Sequence, residues 1–291
     1  MFEVFAAHDI EYFFYNGGGD SQDTTFKVSE MAKKLKFPLK CVGIPKTVDN
    51  DLPYTDCSPG FGSVAKYIAT STLEAGLDVK SMAETSTKVF ILEVMGRHAG
   101  WIAAASCLAA TKAGDPPHII LLPEVPFEKT KFITQVKQTV KEQGYCVIVA
   151  SEGTQTKNGK FLADSGLTDA FGHKQLGGVA PVLAGMISKI GLKNHWAVAD
   201  YLQRSARHIA SKTDLDQAYA VGEHAVKLAI AGKTALMPII KRTSDSPYKW
   251  KIATAPLKNV ANIEKTMPKK FISKNGFEIT QAGKTLSLIH I

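Results

Sequence analysis

The sequence lacks the features that mark several large classes of protein. Among its 291 residues no apolar run approaches the length of a membrane span, and the first ten residues, MFEVFAAHDI, are too polar for a signal peptide. The four cysteines show no CxxC spacing, and there is no internal repeat or low-complexity tract. We therefore expect a cytoplasmic globular protein without a membrane partner, whose cysteines are buried free thiols rather than disulfides or zinc ligands.

The charge balance favours anionic ligands without indicating nucleic acid. Lysine and arginine number 35 against 27 acidic residues, which gives a formal net charge of +8. This excess would suit nucleic acid or a small anionic substrate, but no block of five or more basic residues is present. We expect no nucleic-acid partner and a generally basic surface around a phosphorylated substrate.

Short apolar segments alternate along the chain with segments of helical periodicity. The predicted strands are Tyr12–Tyr15, Leu39–Ile44, Val89–Val94, His118–Leu122 and Cys146–Ala150. The predicted helices between them are Thr24–Lys36, Phe61–Leu77, Ala99–Lys112 and Lys129–Glu142. This alternation is typical of an α/β fold with a doubly wound, mostly parallel sheet and helices on both faces, and the length suggests two lobes. Ligands of such sheets bind at the carboxyl ends of the strands.

The second half of the chain is less regular. Thr154–Lys174 is polar and indicates a surface loop or small excursion, and Leu176–Ile190 indicates an apolar helix. The segment His195–Gln203 includes the strand-like WAVA. A helix is expected from about Asp214 to Ala231, capped by Thr213, and the runs TALMPIIKR and YKWKIATAPL predict a hairpin.

The first strand ends in the sequence NGGGDS, which contains Gly17, Gly18, Gly19 and Asp20. Glycines let the backbone turn sharply and approach a ligand closely. A helix that begins just afterwards, capped by Ser21, Asp23 or Thr24, would offer its N-terminal N–H groups to phosphate. Asp20 is unexpected in such a turn, because a carboxylate repels phosphate unless a metal or a proton intervenes.

The second strand ends in GIPKTVDNDL, which carries two acids two residues apart, Asp49 and Asp51. Paired acids at a strand end can serve as general base and metal partner in phosphoryl transfer. DND is also an ordinary turn composition. Lys46 and Thr47 add a cation and a hydroxyl beside the acids, which favours the functional interpretation.

The third strand ends in EVMGRHAGW. Gly96 would let the chain turn close to a ligand, and Arg97 presents a planar, permanently charged fork suited to phosphate oxygens. The alternative is a strand-ending turn with a solvated arginine. Met95 could belong to the core, and His98 is interpreted as a residue at the start of a helix.

Three further charged or polar residues follow later strands: Glu152, Tyr201 and Arg204. Glu152 could accept hydrogen bonds from sugar hydroxyls and Arg204 could bind a phosphate, although each alone is more typical of a surface salt bridge. As a set, the three marked strand ends predict one sheet edge that binds an anionic substrate.

Together these motifs resemble the 6-phosphofructokinase family. The segments GGGDS, PKTVDNDL, EVMGRHAGW, SEG and DYLQR occur in the order and approximate spacing of that family, and the chain resembles its pyrophosphate-dependent branch up to the last few residues. The resemblance implies two similar lobes with the site between them. It also implies a glycolytic phosphotransferase that uses Mg²⁺, converts fructose 6-phosphate to fructose 1,6-bisphosphate and forms a homo-oligomer at full length.

The resemblance also implies a role for each matching residue. Asp49 would be the general base, Arg97 would stabilise charge during transfer, and Asp51 would support the magnesium–phosphate arrangement. The residues implied in substrate binding are Thr47, Val48, Met95, Gly96, Glu152, Tyr201 and Arg204. The phosphate-donor loop would consist of Gly17, Gly18 and Gly19.

Two residues bear on the choice of donor, namely Asp20 and Lys46. Each stands where ATP-dependent relatives have glycine. A carboxylate at position 20 would obstruct the α-phosphate region of ATP, and a lysine at position 46 would supply a cation to bare pyrophosphate. The pair therefore predicts pyrophosphate as donor, largely through repulsion of the wrong donor.

The sequence departs from the family pattern in ways that keep alternatives open. Gly19 replaces an aspartate or asparagine that helps to place magnesium, which leaves Asp51 as the candidate metal residue. Relatives begin upstream with another strand and glycine loop, so we expect a fragment. The alternatives are an ATP-dependent phosphofructokinase and an inactive, regulatory or truncated form of the same fold. Lipid and NAD kinases share a similar glycine loop but lack the PKTVDNDL and MGR motifs.

The expected domain organisation follows the resemblance. Residues 1–125 would form a phosphoryl-donor lobe that lacks its N-terminal part, and 126–255 would form a sugar-phosphate-binding lobe, with the chain crossing between the two. Residues 256–284 would form a C-terminal segment. The tail TLSLIHI, 285–291, is interpreted as non-native sequence, with a fraying C-terminal strand as the alternative.

Overall fold

The structure is a computed structural model that describes residues 1–168, 174–176 and 178–288. Its strands are β1 Tyr12–Gly17, β2 Lys40–Pro45, β3 Val89–Val94, β4 Ile119–Leu121, β5 Cys146–Ser151, β6 Asp164–Thr168, β7 Lys174–Leu176, β8 Asn194–Val198, β9 Leu236–Asp245 and β10 Tyr248–Pro256. Its α-helices are α1 Phe2–Ala7, α2 Gly19–Lys34, α3 Phe61–Met82, α4 Trp101–Ala105, α5 Lys129–Gln143, α6 Val179–Ser188, α7 Leu202–Ser205, α8 Lys212–Ile230 and α9 Gln281–Leu288. Short 3₁₀ helices occupy Ser106–Ala109, Arg207–Ile209, Leu257–Asn259 and Lys269–Phe271.

The chain forms two compact units, and each is built from separate stretches of sequence. The first unit contains Met1–Gly62 and Ser211–Lys265, and the second contains Ser63–Ala210 and Thr266–Ile291. The boundary expected at residue 125 lies inside the second unit. The assignment of donor and sugar-phosphate roles to the lobes 1–125 and 126–255 stays a prediction.

The first unit is a four-stranded sheet with helices on both faces, in the order β1-β2-β9-β10. β1, β2 and β9 run parallel, and β10 pairs antiparallel with β9 as the predicted hairpin. Successive residues of β2 point to opposite faces. Cys41 packs with Val28 of α2, whereas Val42 packs with Ala225 and Ala229 of α8.

The second unit has a fully parallel sheet in the order β4-β5-β3-β8. Ile91 of β3 belongs to a buried cluster that includes Phe132 of α5 and Leu183 of α6. The preceding residue, Phe90, packs on the opposite face of the sheet against a cluster that includes Val79 of α3. Strands with apolar residues on both faces are what a doubly wound sheet requires, so the predicted α/β class is confirmed.

The structure corrects the expectation of a single sheet edge. The first two marked strand ends belong to β1 and β2 of the first unit, whereas the third belongs to β3 of the second unit. The five predicted strands match to within two residues at each end. Alternation of strands and helices indicates a parallel sheet but carries no information on which strands share it, which explains the error.

Several helix ends also differ from the prediction. Helix α2 begins at Gly19 with Gly18 as its N-cap and no side-chain cap, so Ser21, Asp23 and Thr24 all lie within the helix. Helix α8 is capped by Ser211, whose Oγ accepts a hydrogen bond from the Asp214 N–H at 3.3 Å, and not by Thr213.

Two other segments differ from expectation. The predicted helix Ala99–Lys112 is reduced to α4 and one 3₁₀ turn, because the Asp115 carboxylate accepts hydrogen bonds from the N–H groups of Thr111 and Lys112 and fixes a turn there. The segment expected as a loop contains β6 and the start of β7, an antiparallel pair, while 169–173 lie outside the described residues.

The remaining expectations concern the tail, the cysteines and membrane spans. Residues 285–288 of the predicted non-native tail continue α9, and 289–291 lie outside the described residues. The cysteines, Cys41, Cys57, Cys107 and Cys146, are buried free thiols, as predicted. Within the part of the chain that the structure describes, no helix has the length and apolar character to cross a membrane.

Candidate active site

The end of β1 is joined to the end of β2 by one buried side chain. Gln22, fully buried in the first turns of α2, donates its Nε2 hydrogens to the carbonyl oxygens of Gly17 at 2.9 Å and Ile44 at 3.1 Å. Gly17 has to be glycine, because a Cβ there would lie 2.0 Å from Ser21 Oγ. The turn that follows β1 is therefore tightly fixed, and α2 begins directly beside it.

The glycine turn contacts the loop that follows β2. The Lys46 N–H donates to the Gly17 carbonyl at 3.1 Å, and a Cβ on Gly18 would lie 3.6 Å from Thr47 Cβ. Asp20 lies in the first turn of α2, and both Asp20 and Lys46 are exposed. The first unit thus brings the glycine turn that precedes Asp20 into contact with the loop that carries Lys46. The role of the two residues in donor choice stays a prediction.

The loop after β2 holds the candidate general base. The Thr47 N–H donates to the Pro59 carbonyl at 3.2 Å, and Thr47 Oγ1 accepts from the Asp49 N–H at 3.1 Å. Asn50, the next residue, has a left-handed backbone with φ of 54°, and its Oδ1 accepts from the Ser58 N–H at 3.0 Å. These hydrogen bonds fix the backbone on both sides of Asp49. Val48, which lies between Thr47 and Asp49 in sequence, is partly buried.

Asp51 fits a role beside a bound cation. Burial raises the pKa of its carboxyl, and the nearby Glu264 acts in the same direction, while hydrogen bonds from Thr47 and its own N–H and the charge of Lys265 oppose the shift. Its Oδ1 is buried and accepts no hydrogen bond from any described group. A buried carboxylate oxygen that no donor satisfies is suited to a metal ion.

The metal site would draw few ligands from the protein. Within the ranges that the structure describes, no group of three or more His, Cys, Asp or Glu side chains is arranged to hold an ion. A divalent metal that binds through one or two carboxylates and the phosphate oxygens of a substrate does not require such a group. Gly19 leaves open space at the start of α2, since a Cβ there would meet nothing within 4 Å.

In the second unit, the end of β3 packs closely against the end of β5. Gly96 has φ of 127°, and the Ser151 hydroxyl donates a hydrogen bond to its carbonyl. A Cβ on Gly153 would lie 1.9 Å from the Arg97 carbonyl oxygen. Only glycine leaves room at 153, so the backbone that carries Arg97 is pressed against the loop that carries Glu152.

Arg97 and Glu152 form an electrostatic pair with unused hydrogen-bonding capacity. Glu152 Oε1 accepts from the Gly96 N–H at 3.3 Å. Burial raises the pKa of Glu152, and the hydrogen bond from Gly96 and the charge of Arg97 limit the rise. Arg97 Nε is buried and donates to no partner among the described residues, which fits a guanidinium that awaits an anion.

Tyr201 and Arg204 lie on the exposed start of α7. The Arg204 guanidinium carbon stands 4.1 Å from the centre of the Tyr201 ring, a cation–π contact, and Tyr201 is 63% exposed. Between them in sequence, the buried Gln203 accepts from the Met95 N–H at 3.3 Å and donates to the Asp200 carbonyl at 2.9 Å. Gln203 thereby links the Met95–Arg97 turn to the segment that carries Tyr201 and Arg204.

Within each unit the structure gathers the residues that the sequence predicted. Gly17–Gly19, Asp20, Lys46, Thr47, Asp49 and Asp51 lie together in the first unit, and Met95–Arg97, Glu152, Tyr201 and Arg204 lie together in the second. Sequence reasoning missed Gln22 and Gln203, the buried amides that join these loops. Gln203 stood inside the motif DYLQR, so it could have been found, whereas nothing distinguished Gln22 in a polar helix.

These features define the class of the protein: an α/β protein whose strand-end loops combine glycine turns, paired acids and a partly buried arginine. The chain belongs to the phosphofructokinase family, since the family model described as phosphofructokinase matches residues 1–229.

Two relatives with high identity to the chain carry one name. The chain is 66% identical over 282 residues to the pyrophosphate–fructose 6-phosphate 1-phosphotransferase of Halomonas elongata, covering 97% of this chain and 67% of that protein. It is 60% identical to the protein of the same name from Methylococcus capsulatus, with the same coverage. The crystal structure of a pyrophosphate-dependent phosphofructokinase from Marinobacter aquaeolei matches with a TM-score of 0.90 and 61% identity, over 99% of this chain and 69% of that one.

Proposed function

We propose that this protein transfers a phosphoryl group from pyrophosphate to the 1-hydroxyl of fructose 6-phosphate. The products are fructose 1,6-bisphosphate and phosphate. The observation that carries the proposal is the hydrogen bond from the Lys46 backbone N–H to the Gly17 carbonyl, because it places the loop that carries Lys46 against the glycine turn that precedes Asp20. The names of the relatives from Halomonas elongata and Methylococcus capsulatus support it independently.

In the proposed mechanism, Asp49 accepts the proton of the 1-hydroxyl as its oxygen attacks the terminal phosphorus of pyrophosphate. The new O–P bond forms while the bond from that phosphorus to the bridging oxygen breaks, and phosphate leaves. The Thr47 hydroxyl, which accepts from the Asp49 N–H at 3.1 Å, keeps the base in place. Phosphoryl transfer depends mainly on positioning and on positive charge, so the protein needs to supply only one proton acceptor besides these.

Donor binding and charge stabilisation are assigned to backbone and cationic groups. The N–H groups at the start of α2 and the Lys46 ammonium bind pyrophosphate, and Arg97 stabilises negative charge on the group in transfer. Asp51 would hold Mg²⁺, and the ion when bound would supply positive charge to the donor. The buried Arg97 Nε and the buried Asp51 Oδ1 support these two assignments.

The sugar phosphate is assigned to residues that are mostly in the second unit. Glu152 accepts hydrogen bonds from sugar hydroxyls, Arg204 binds the 6-phosphate, and Tyr201 orients the Arg204 guanidinium through its ring. Met95 and Gly96 of the second unit are also assigned to substrate binding, as is Val48 of the first unit. The link through Gln203 supports this grouping, because it ties Met95 to the segment of Tyr201 and Arg204.

Two further assignments belong to the proposal. The protein acts in the cytoplasm as a glycolytic enzyme, an assignment supported by four buried free cysteines, which suit a reducing compartment. In its full-length form it assembles as a homo-oligomer, as the resemblance to the family implies.

A donor assay tests the proposal directly. Purified protein is supplied with fructose 6-phosphate, Mg²⁺ and either pyrophosphate or ATP, and fructose 1,6-bisphosphate is measured through coupled aldolase. We expect a kcat/KM for pyrophosphate at least about 10²-fold above that for ATP, as repulsion at Asp20 implies. Better turnover with ATP would overturn the donor assignment. Binding of fructose 6-phosphate without turnover on any donor would overturn the assignment as a catalyst.

A further inference from the structure

Lys265 contacts both ends of the loop segment that follows Asp49. Its Nζ donates to Asn50 Oδ1 at 3.1 Å, to the Thr55 carbonyl at 3.0 Å and to the Asp56 carbonyl at 3.2 Å. Its backbone N–H donates to the Asp51 carbonyl at 2.6 Å. One residue that is distant in sequence thus ties Asn50 and Asp51 to the far end of the same loop.

The chemistry of lysine matches these acceptors. An ammonium group carries three N–H donors, and three oxygens stand within hydrogen-bond distance of Nζ. A planar guanidinium fork cannot direct its donors at three converging oxygens in the same way. Burial lowers the pKa of Lys265, and the nearby charges of Asp56 and Asp51 limit the fall. We therefore interpret the contact as specific to an ammonium rather than as a general salt bridge.

The segment between the two contact points needs such support. Asn50 and Tyr54 have left-handed backbones with φ of 54° and 67°, a conformation that non-glycine residues adopt at a cost. Asn50 Oδ1 is shared between Lys265 Nζ and the Ser58 N–H. The far end of the loop is anchored separately, through hydrogen bonds of Asp56 and Thr55 to Ile240 of β9. Because Lys265 binds both Thr55 and Asn50, it connects this anchored end of the loop to the residues beside Asp49.

We propose that Lys265 is a positioning residue that holds Asp49 in the geometry needed for proton transfer, acting through Asn50 and Asp51. The inference rests on the proposed function in so far as Asp49 is the general base. It does not depend on the identity of the phosphoryl donor.

The test compares Lys265→Met with the wild type and with the control Lys258→Met, which removes an exposed lysine of the same unit. Hydrogen exchange, measured by mass spectrometry over residues 46–60, reports how firmly the loop is held and does not require catalytic turnover. We expect exchange to rise by about tenfold in Lys265→Met and to stay unchanged in the control. We also expect kcat to fall by about 10²-fold while KM for fructose 6-phosphate changes by less than about threefold.

Two further variants separate positioning from general stability. Lys265→Arg keeps the charge but not the convergent geometry of the three ammonium donors, so it should fold like the wild type, keep KM and recover only part of kcat. Asn50→Gly permits the left-handed backbone and removes the shared acceptor, and we expect its effect on kcat to be non-additive with that of Lys265→Met. This second variant also tests the proposal if Lys265→Met does not fold.

The outcomes distinguish this inference from the proposed function. Unchanged exchange over 46–60 in folded Lys265→Met, or an unchanged kcat in an active background, would overturn the role of Lys265. A wild type without turnover on pyrophosphate would overturn the proposed function, and the exchange comparison would still decide whether Lys265 positions the loop. A fall in kcat that merely equals the fall in folded fraction, measured by circular dichroism, would also overturn the inference.

Discussion

The two units fix their candidate catalytic loops by different physical means. In the first unit, the loop after β2 is held by side chains that span long sequence distances, such as the fork of Arg242 on Asp56, with contacts of 2.6 to 3.0 Å. In the second unit, the turn after β3 is held by close backbone packing at Gly96 and Gly153. We call the side-chain hydrogen bonds of the first unit the polar scaffold and the close backbone packing of the second unit the glycine scaffold. The polar scaffold should lose stability gradually as single hydrogen bonds are removed, whereas the glycine scaffold has no space for an added carbon atom.

Removal of the base should give the largest effect and leave both scaffolds intact. Asp49→Asn keeps the size of the side chain but removes the proton acceptor, so we expect kcat to fall by about 10²–10⁴-fold. Steady-state kinetics with fructose 6-phosphate and pyrophosphate measure the change. A fall of less than tenfold in folded protein would exclude Asp49 as the general base.

The glycine scaffold should break at a single methyl group. In Gly153→Ala, the new Cβ would meet the Arg97 carbonyl, so the turn must shift and kcat/KM should fall by about 10²-fold. The matched control is Gly185→Ala in α6, where a Cβ would meet nothing within 4 Å. The control should retain activity and gain a little stability from helix propensity. Equal activity of the two variants would show that the contact at Gly153 is not needed.

The polar scaffold should lose stability by a graded amount. Arg242→Met leaves the mostly buried Asp56 carboxylate without its bidentate partner, and we expect the free energy of unfolding to fall by about 3 kcal/mol. Urea denaturation followed by circular dichroism measures this. Lys241→Met, on the exposed neighbouring position of β9, serves as control and should change stability by less than about 0.5 kcal/mol. An unchanged midpoint for Arg242→Met would mean that the ion pair contributes nothing net.

The acid in the phosphate loop should affect donor choice more than rate. Asp20→Gly removes the carboxylate at the start of α2, so we expect the preference for pyrophosphate over ATP to decrease by about tenfold. The ratio of kcat/KM values for the two donors measures it, with Asp23→Gly on the same helix as control. A preference that stays the same would assign donor selection to other residues.

The smallest effect should appear on the acidic side of the pH profile. Burial raises the pKa of Glu152 above its ordinary value of 4.5, so the folded protein holds this proton at a pH where the unfolded chain has lost it. The contribution of Glu152 to stability therefore falls as pH rises from the ordinary pKa through the raised one. Over the same range its carboxylate becomes better able to accept hydrogen bonds from sugar hydroxyls. We expect KM for fructose 6-phosphate to increase severalfold as pH falls through the raised pKa.

Glu152→Gln isolates that effect. The amide does not titrate, so the pH dependence of KM that remains would belong to other groups, among which Asp51 also has a raised pKa because of burial. An identical KM profile for the variant and the wild type would remove Glu152 from the acidic limb.

Local signals in the sequence predicted much of the fold and of the site. Apolar runs bounded by glycine and proline located β1 to β5, and the motifs at their ends supplied Asp49, Arg97 and Glu152 as candidate site residues. The cap of α8 was predicted wrongly: it is Ser211 and not Thr213. Either hydroxyl satisfies the sequence pattern of a helix cap, and only the backbone geometry decides between them. Lys265 was beyond reach, since no local pattern relates it to Asn50, which lies 215 residues earlier. Sheet membership was likewise hidden, because strand periodicity is the same in either sheet.

The interleaving of the two units along the chain has a consequence for biosynthesis. The stretch Ser63–Ala210 of the second unit is inserted in sequence between the two halves of the first. A ribosome therefore completes the fully parallel sheet of the second unit before β9, the neighbour of β2, has been made. The loop of Asp49 is made before the second unit and gains its support only after it, because Lys265 follows even β10.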